Sequence, residues 1–251
     1  MKGLLATGIV LILLLLASCS SQQQNSSEDS SASSQLVISA SSSSQAADTK
    51  PQVKDGYTGS YVYAGTDGQN CGFTVKLPEI DSQKAGAVAL NQQIAAKYNY
   101  HRTAVENKTN NGQSLWEVFY ETASQGDYIT LVIHEKHNND PGEPNLDIQV
   151  INYNYKLDKT ATTSELLASM GETSTSVISK LKAKVEASQS KSRVTEEDWK
   201  DWIPPINETW LSEVQADINK LSLWYQNGTL WVCYIGNTME VDGISILVSL
   251  T

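Results

Sequence analysis

The run Ile133-His134-Glu135-Lys136-His137 carries two of the three histidines in the sequence. Zinc proteases need two histidines four residues apart on one helical face, with a glutamate beside them. Here the spacing is three, and the apolar residues 128–133 before it predict a strand. On a strand, His134 and His137 point to opposite faces, about 10 Å apart. We therefore expect no metal site here, and His101, the third histidine, has no cluster around it in the sequence.

Three tryptophans are candidates for ligand contact: Trp199, Trp202 and Trp210. Exposed tryptophans stack on sugar rings or anchor a protein partner. Trp199 and Trp202 are three residues apart on a predicted short helix, a spacing that also suits residues covering a core. A core position is therefore the alternative to ligand contact.

Residues 138–145 are rich in side-chain oxygens, which invites a calcium site. The regular ligand spacing of a calcium loop is missing, and two prolines indicate a connection between strands. We expect a long hairpin loop. The sequence also shows no nucleophile elbow, no Gly-rich phosphate loop and no convincing carboxylate pair, so we expect no cofactor and no enzyme.

The N-terminus indicates where the protein works. Lys2 precedes an apolar run at 9–16 that is too short for a comfortable membrane span. The tetrapeptide that ends at Cys19 resembles the lipobox of bacterial lipoproteins. This resemblance implies a signal peptide at 1–18, cleavage before Cys19 and a lipid on its sulfur. We therefore expect a protein anchored on the extracellular face of the cell membrane. A secretory signal with a chance cysteine is the alternative.

The other two cysteines, Cys71 and Cys233, are far apart in sequence. Outside the cell, such a pair is often a disulfide, which is our expectation. Two buried, unpaired thiols are the alternative. A catalytic thiol is not expected, since no residue near either cysteine in the sequence supplies a base.

Composition divides the rest of the chain. Residues 19–54 are Ser-rich with few large apolar groups, and we expect a flexible tether there. Residues 55–251 are long enough for a single domain with its own core. The formal net charge of -10 excludes nucleic acid as a partner and favours a cationic one.

The order of predicted elements favours an α+β fold. Helical spacing predicts helices over 81–98, from Thr163 to Gly171, around 177–185, from 195 and over 207–221. Asp81 or Ser82 is expected to cap the first of these helices. Strand patterns predict 71–77, then an antiparallel meander of 115–123, 128–137 and 146–157, and a last strand at 244–250. Strands grouped apart from helices are typical of α+β domains with helices packed on the sheet.

A terminal hairpin is predicted at Asn227-Gly228, because a type I′ turn needs positive φ at both positions. The two-residue loop sets the register, in which Trp224 faces Trp231 and Ser222 faces Cys233. Both faces of this hairpin are apolar, so we expect both to be covered, one by helices and the other by more of this domain or by a partner.

Several segments together resemble a known family. They are the Leu77-Pro78-Glu79-Ile80 opening, the helix with Asn91, the tyrosine-rich strand at 151–157 that runs through a turn into a Leu-rich helix, and the terminal hairpin. This order resembles the extracytoplasmic domain shared by lysozyme-sensing anti-sigma factors and peptidoglycan deacetylases of Gram-positive bacteria. Lys159-Thr160 departs from the Lys-Gly type of turn in that family.

This resemblance implies a binding domain at the cell surface, here a stand-alone lipoprotein. Its ligand would be a wall-associated or host protein, such as cationic lysozyme, or a glycan. A peptidoglycan-modifying enzyme and an accessory subunit of an envelope complex are the alternatives.

Overall fold

The computed structural model describes residues 49–65, 68–109, 114–138, 145–190, 203–237 and 242–250. The predicted signal peptide, Cys19, Trp199, Trp202 and the predicted helix start at 195 lie outside these ranges. So does most of the oxygen-rich loop. No helix among the described residues is long and apolar enough to span a membrane. The first strand begins at Val53, two residues before the predicted domain boundary. The division into signal, tether and domain stays a prediction.

A large sheet of six strands forms the centre of the fold. Its strands are β1 (Val53–Ala64), β2 (Asn70–Ile80), β3 (Leu115–Gln125), β4 (Tyr128–Asn138), β5 (Asn145–Asn154) and β6 (Lys159–Ala161). They lie in sequence order, and all neighbours are antiparallel except the β2–β3 pair. The parallel pair needs a crossover, which contains helices α1 (Ala85–Lys97) and α2 (Asn99–Glu106). The predicted α+β class and the predicted three-stranded meander, β3 to β5, are confirmed, and β6 extends the meander by a short strand.

A small sheet follows near the C-terminus, with strands β7 (Ser222–Gln226), β8 (Thr229–Asn237) and β9 (Asp242–Ser249). Its β7–β8 turn has φ of 54° at Asn227 and 80° at Gly228. Trp224 pairs with Trp231, and Ser222 pairs with Cys233. The hairpin and its register are therefore as predicted.

The small sheet is covered on both sides. One face carries Leu223 and Val232, which pack against helices α3 (Thr163–Ser169), α4 (Ser174–Gln189) and α5 (Glu208–Ala216). The other face carries Trp224 and Cys233, which pack against β4 and β5 of the large sheet. The second cover predicted for the hairpin is thus more of the same domain.

The large sheet has two different faces. The helix-covered face carries Phe73, Val118 and Leu131, buried under α1 and α2. The junction face carries Val132 and Ile148, buried under the small sheet. Alternation along each strand assigns neighbouring residues to opposite faces.

The N-terminus of helix α1 is capped by a residue that is distant in the sequence. We expected Asp81 or Ser82 to cap it, but the helix begins later, after Lys84, and has no side-chain cap. Asp158, at the β5–β6 turn, instead accepts the backbone N–H groups of Gly86 and Ala87 at 2.8 and 3.1 Å. A carboxylate satisfies the orphan amides of a helix start and suits its dipole. Asp158 therefore ties the turn to α1.

The large sheet also has two distinct ends. At the entry end, β1 begins and the β3–β4 turn closes, and the chain enters the domain there. At the far end, β3 begins and β4 finishes. The 11 residues of β3 separate the two ends by roughly 35 Å.

Candidate functional site

The most developed group of functional side chains surrounds His101 at the far end. His101 lies on helix α2 and packs against the helix-covered face of the large sheet. Its side chain is 8% exposed. Its Nε2 lies 3.2 Å from Oε1 of Glu135 on β4. Neither Nε2 nor Nδ1 of His101 makes a hydrogen bond to the described residues. The contact with Glu135 is therefore mainly electrostatic.

Aromatic rings enclose the His101 imidazole. Tyr100 and Trp116 have ring centroids 5.4 Å away, and Phe73 and Tyr98 lie at 6.0 and 6.1 Å. Such pairs add on the order of 1 kcal/mol each beyond their buried area. The enclosure therefore holds the imidazole in one place.

Glu135 is ionised at neutral pH. Its contact with His101 lowers the pKa of Glu135, against the partial burial that raises it, and Lys97 and His137 lower it further. Asp147 on β5 is its cross-strand neighbour. Directly paired residues share a face of the sheet, so two carboxylates lie side by side there.

The surface of this group is partly open. Tyr100 is 63% exposed, and Asp147 is exposed as well. Half-buried Trp116 stacks on half-buried His137, with centroids 4.3 Å apart. We call the group the far-end cluster: Tyr100, His101, Trp116, Glu135, His137 and Asp147. Two carboxylates beside exposed rings can bind a cationic group through charge and cation–π contact.

The strand predicted for the histidine motif is confirmed, since β4 places its two histidines on opposite faces. His137 belongs to the far-end cluster, while His134 lies on the junction face, stacked on Phe119 at 4.6 Å. Burial lowers the pKa of His134, opposed by Glu121, whose Oε1 is 3.7 Å from Nε2. No group of three metal-ligand side chains arranged for a metal occurs in the described part of the chain.

The predicted disulfide is wrong. Cys71 and Cys233 are both free and buried. Cys71 lies on β2, with Sγ 3.7 Å from the Gln69 carbonyl oxygen, whereas Cys233 lies on β8 against β4 and β5. The two thiols therefore sit on different sheets. Burial also raises the pKa of Cys233 to about 12, so it is not a nucleophile at neutral pH.

Of the three candidate tryptophans, only Trp210 lies in the described chain. It is half-buried, packs against the core under the small sheet and lies 6.1 Å from the Tyr234 ring. Its position is that of a core-covering residue. Ligand contact by Trp199 and Trp202 stays a prediction.

Sequence reasoning missed the link between His101 and Glu135. The two residues are far apart along the chain, and only the crossover between β2 and β3 brings them together. A local signal was present, because Tyr98, His101 and Ala104 recur at helical spacing and are all buried. That signal places His101 on the inner side of its helix but does not name its partner.

Two grooves lie at the entry end. The first, of about 650 Å³, is lined by the segment before β1, by β3 and by the Gln226-Asn227 turn. The second, of about 510 Å³, lies between the β3–β4 turn and the segment around Met170.

These features define an α+β domain with a large and a small sheet and a carboxylate-aromatic cluster at its far end. No protein-family model matches the sequence, and no curated protein matches it.

Two solved structures that are similar to this chain are of DUF3298 family proteins. A crystal structure of a member from Pseudomonas aeruginosa aligns with a TM-score of 0.47 and 8% identity, covering 81% of this chain and 91% of that one. A member from Bacteroides fragilis aligns with a TM-score of 0.40 and 7% identity, covering 79% of this chain and 89% of that one. Similarity at this level transfers no residue role and no function.

Proposed function

We propose that this protein is a lipid-anchored binding domain on the surface of a Gram-positive type of cell, without catalytic activity of its own. Its far-end cluster binds a cationic group of a wall-associated or host protein, of which lysozyme is the example implied by the family resemblance. The observation that carries this proposal is the pairing of Glu135 with Asp147 beside the exposed ring of Tyr100.

The charge of the chain supports a cationic ligand. The net charge of -10 draws positively charged proteins toward the surface and speeds their encounter. At the cluster, the ionised Glu135 and its neighbour Asp147 concentrate that charge. The exposed ring of Tyr100 offers a face for the same cation.

Binding of lysozyme by the purified full chain tests this proposal. We expect measurable affinity at low ionic strength that falls steeply as salt is added, because exposed charges are screened. Glu135→Gln and Tyr100→Ala should each weaken binding by about tenfold. The matched control is Glu213→Gln on α5, which removes the same charge from an exposed pair with Lys220. Absence of binding at low salt, or equal losses in Glu135→Gln and the control, would overturn the proposal.

A peptidoglycan-modifying enzyme is the second candidate, because Glu135 and Asp147 form a carboxylate pair. Retaining glycosidases place two such groups about 5 Å apart, and one of them acts as an acid with a raised pKa. The lowered pKa of Glu135 does not suit that acid. Turnover of purified peptidoglycan that is lost in Glu135→Gln would favour the enzyme over the binding domain.

A further inference from the structure

The second entry-end groove has the features of a separate ligand site. We call it the tyrosine cleft. The residues that line it include Asp127, Tyr128, Asn154, Met170, Glu172 and Tyr225. Its volume of about 510 Å³ is within the usual range of small-ligand sites. It lies at the opposite end of the large sheet from the far-end cluster.

Asn154 supplies an unused donor to this cleft. The residue is 6% exposed, and its Oδ1 accepts the backbone N–H groups of Lys156 and Leu157 at 3.1 and 3.0 Å. These two donors fix which side of the carboxamide is oxygen. The Nδ2 group therefore points elsewhere. It is not sealed from solvent, and Asn154 lines the cleft, so Nδ2 can donate to a water molecule or to a ligand bound there.

The other walls of the cleft suit a neutral ligand with a mixed surface. Tyr128 and Tyr225 contribute half-buried phenol rings, and Met170 adds a half-buried thioether. Both carboxylates of the cleft already form ion pairs with lysines. Asp127 pairs with Lys156 at 2.8 Å, and Glu172 pairs with Lys180 at 2.6 Å. Little net charge is left to attract an ion.

We propose that the tyrosine cleft binds a neutral saccharide, such as a short stretch of wall glycan. A sugar ring presents an apolar C–H face, which packs on aromatic rings and on Met170, and an edge of hydroxyl groups. Those hydroxyl groups accept from Asn154 Nδ2 and exchange hydrogen bonds with the tyrosine hydroxyls. This site is independent of the far-end cluster and of its cationic ligand.

A soluble tetramer of N-acetylglucosamine is the probe. Its binding to the full chain is measured by saturation-transfer NMR in a detergent that has no sugar headgroup. We expect transfer to the probe at low millimolar concentration. Asn154→Asp keeps the oxygen that accepts from Lys156 and Leu157 but replaces the donor. It should weaken binding by about tenfold. Tyr128→Phe, which keeps the ring, should weaken binding severalfold.

The controls separate this proposal from the preceding one. Glu135→Gln should leave saccharide binding unchanged while weakening lysozyme binding, and Asn154→Asp should do the reverse. No transfer from the wild-type chain would overturn the saccharide site. Unchanged affinity in a folded Asn154→Asp chain would overturn it too. Equal binding of a neutral tetra-alanine peptide would assign the cleft to peptides instead.

Discussion

The two faces of the large sheet each bury a histidine beside a glutamate, yet the two pairs differ. On the helix-covered face, His101 and Glu135 approach to 3.2 Å, and the Glu135 side chain is 18% exposed. On the junction face, His134 and Glu121 are 3.7 Å apart, and the Glu121 side chain is 55% exposed. Water screens the second attraction more strongly than the first. Burial of the carboxylate therefore decides how strongly each pair interacts.

The covers of the two faces are also attached differently. Asp158 fixes helix α1 to the helix-covered side through backbone amides. On the junction side, Asn152 of β5 donates from Nδ2 to the Leu223 carbonyl oxygen of β7 at 3.0 Å, while its Oδ1 accepts from Thr130 at 2.6 Å. One attachment joins a helix to a turn, and the other joins two sheets.

The largest effect is expected from Gly86→Ala at the helix attachment. A Cβ at this position would lie 1.9 Å from the Asp158 carbonyl oxygen. The turn and the helix must then move apart, at a cost of about 3 kcal/mol in the free energy of unfolding. Urea denaturation measures this loss.

A matched substitution on the same helix is Val88→Ala, at a side chain that is 36% exposed. It should change the free energy of unfolding by well under 1 kcal/mol, as is usual for surface positions. In an uncrowded helix, glycine to alanine stabilises by about 1 kcal/mol. A stabilised Gly86→Ala chain would therefore contradict the close contact with Asp158.

An intermediate effect is expected from Asn152→Ala at the sheet junction. The substitution leaves the Leu223 carbonyl and the Thr130 hydroxyl without their partner. We expect a loss of about 2 kcal/mol in the free energy of unfolding. The double variant Asn152→Ala/Thr130→Val should lose less than the sum of the single losses, since both break the same hydrogen bond. Strict additivity would show that the two side chains do not interact.

The smallest effect is the pH dependence contributed by His134. Because burial lowers the pKa of His134, the unfolded chain takes up the proton first as pH falls below about 6.5. The folded state should therefore lose stability between about pH 7 and pH 5. His134→Gln should reduce this loss, seen as a smaller drop in the urea midpoint.

Glu121→Gln is a control that should change the acid sensitivity of stability in the opposite direction to His134→Gln. The carboxylate of Glu121 raises the pKa of His134, so its removal should make the loss of stability on acidification steeper. If wild type and His134→Gln respond to acid equally, the imidazole on the junction face does not control the response.

The sequence predicted the elements that depend on local chemistry. The Asn227-Gly228 turn set a register that the structure confirms, and helix α3 begins at its predicted residue, with Thr162 and Glu165 forming a capping box. Asp81 failed as a cap because the amides of α1 find their carboxylate far along the chain, on Asp158. Local patterns carry no information about such distant partners.

In the candidate site, too, local sequence patterns predicted some features, while contacts between distant residues were missed. The opposite directions of His134 and His137 followed from the strand period alone. The contact of His101 with Glu135 depends on the crossover from β2 to β3, which no local pattern specifies. The expected disulfide failed for a related reason, since the sequence pattern did not show that Cys71 and Cys233 belong to different sheets.

The position of the small sheet between the helices and the large sheet also constrains how the protein folds. In any intermediate that has formed β4 and β5 but not β7 to β9, Val132 and Ile148 on the junction face have no cover. Such an intermediate exposes an apolar sheet face and is prone to aggregation until the last strands pack on it.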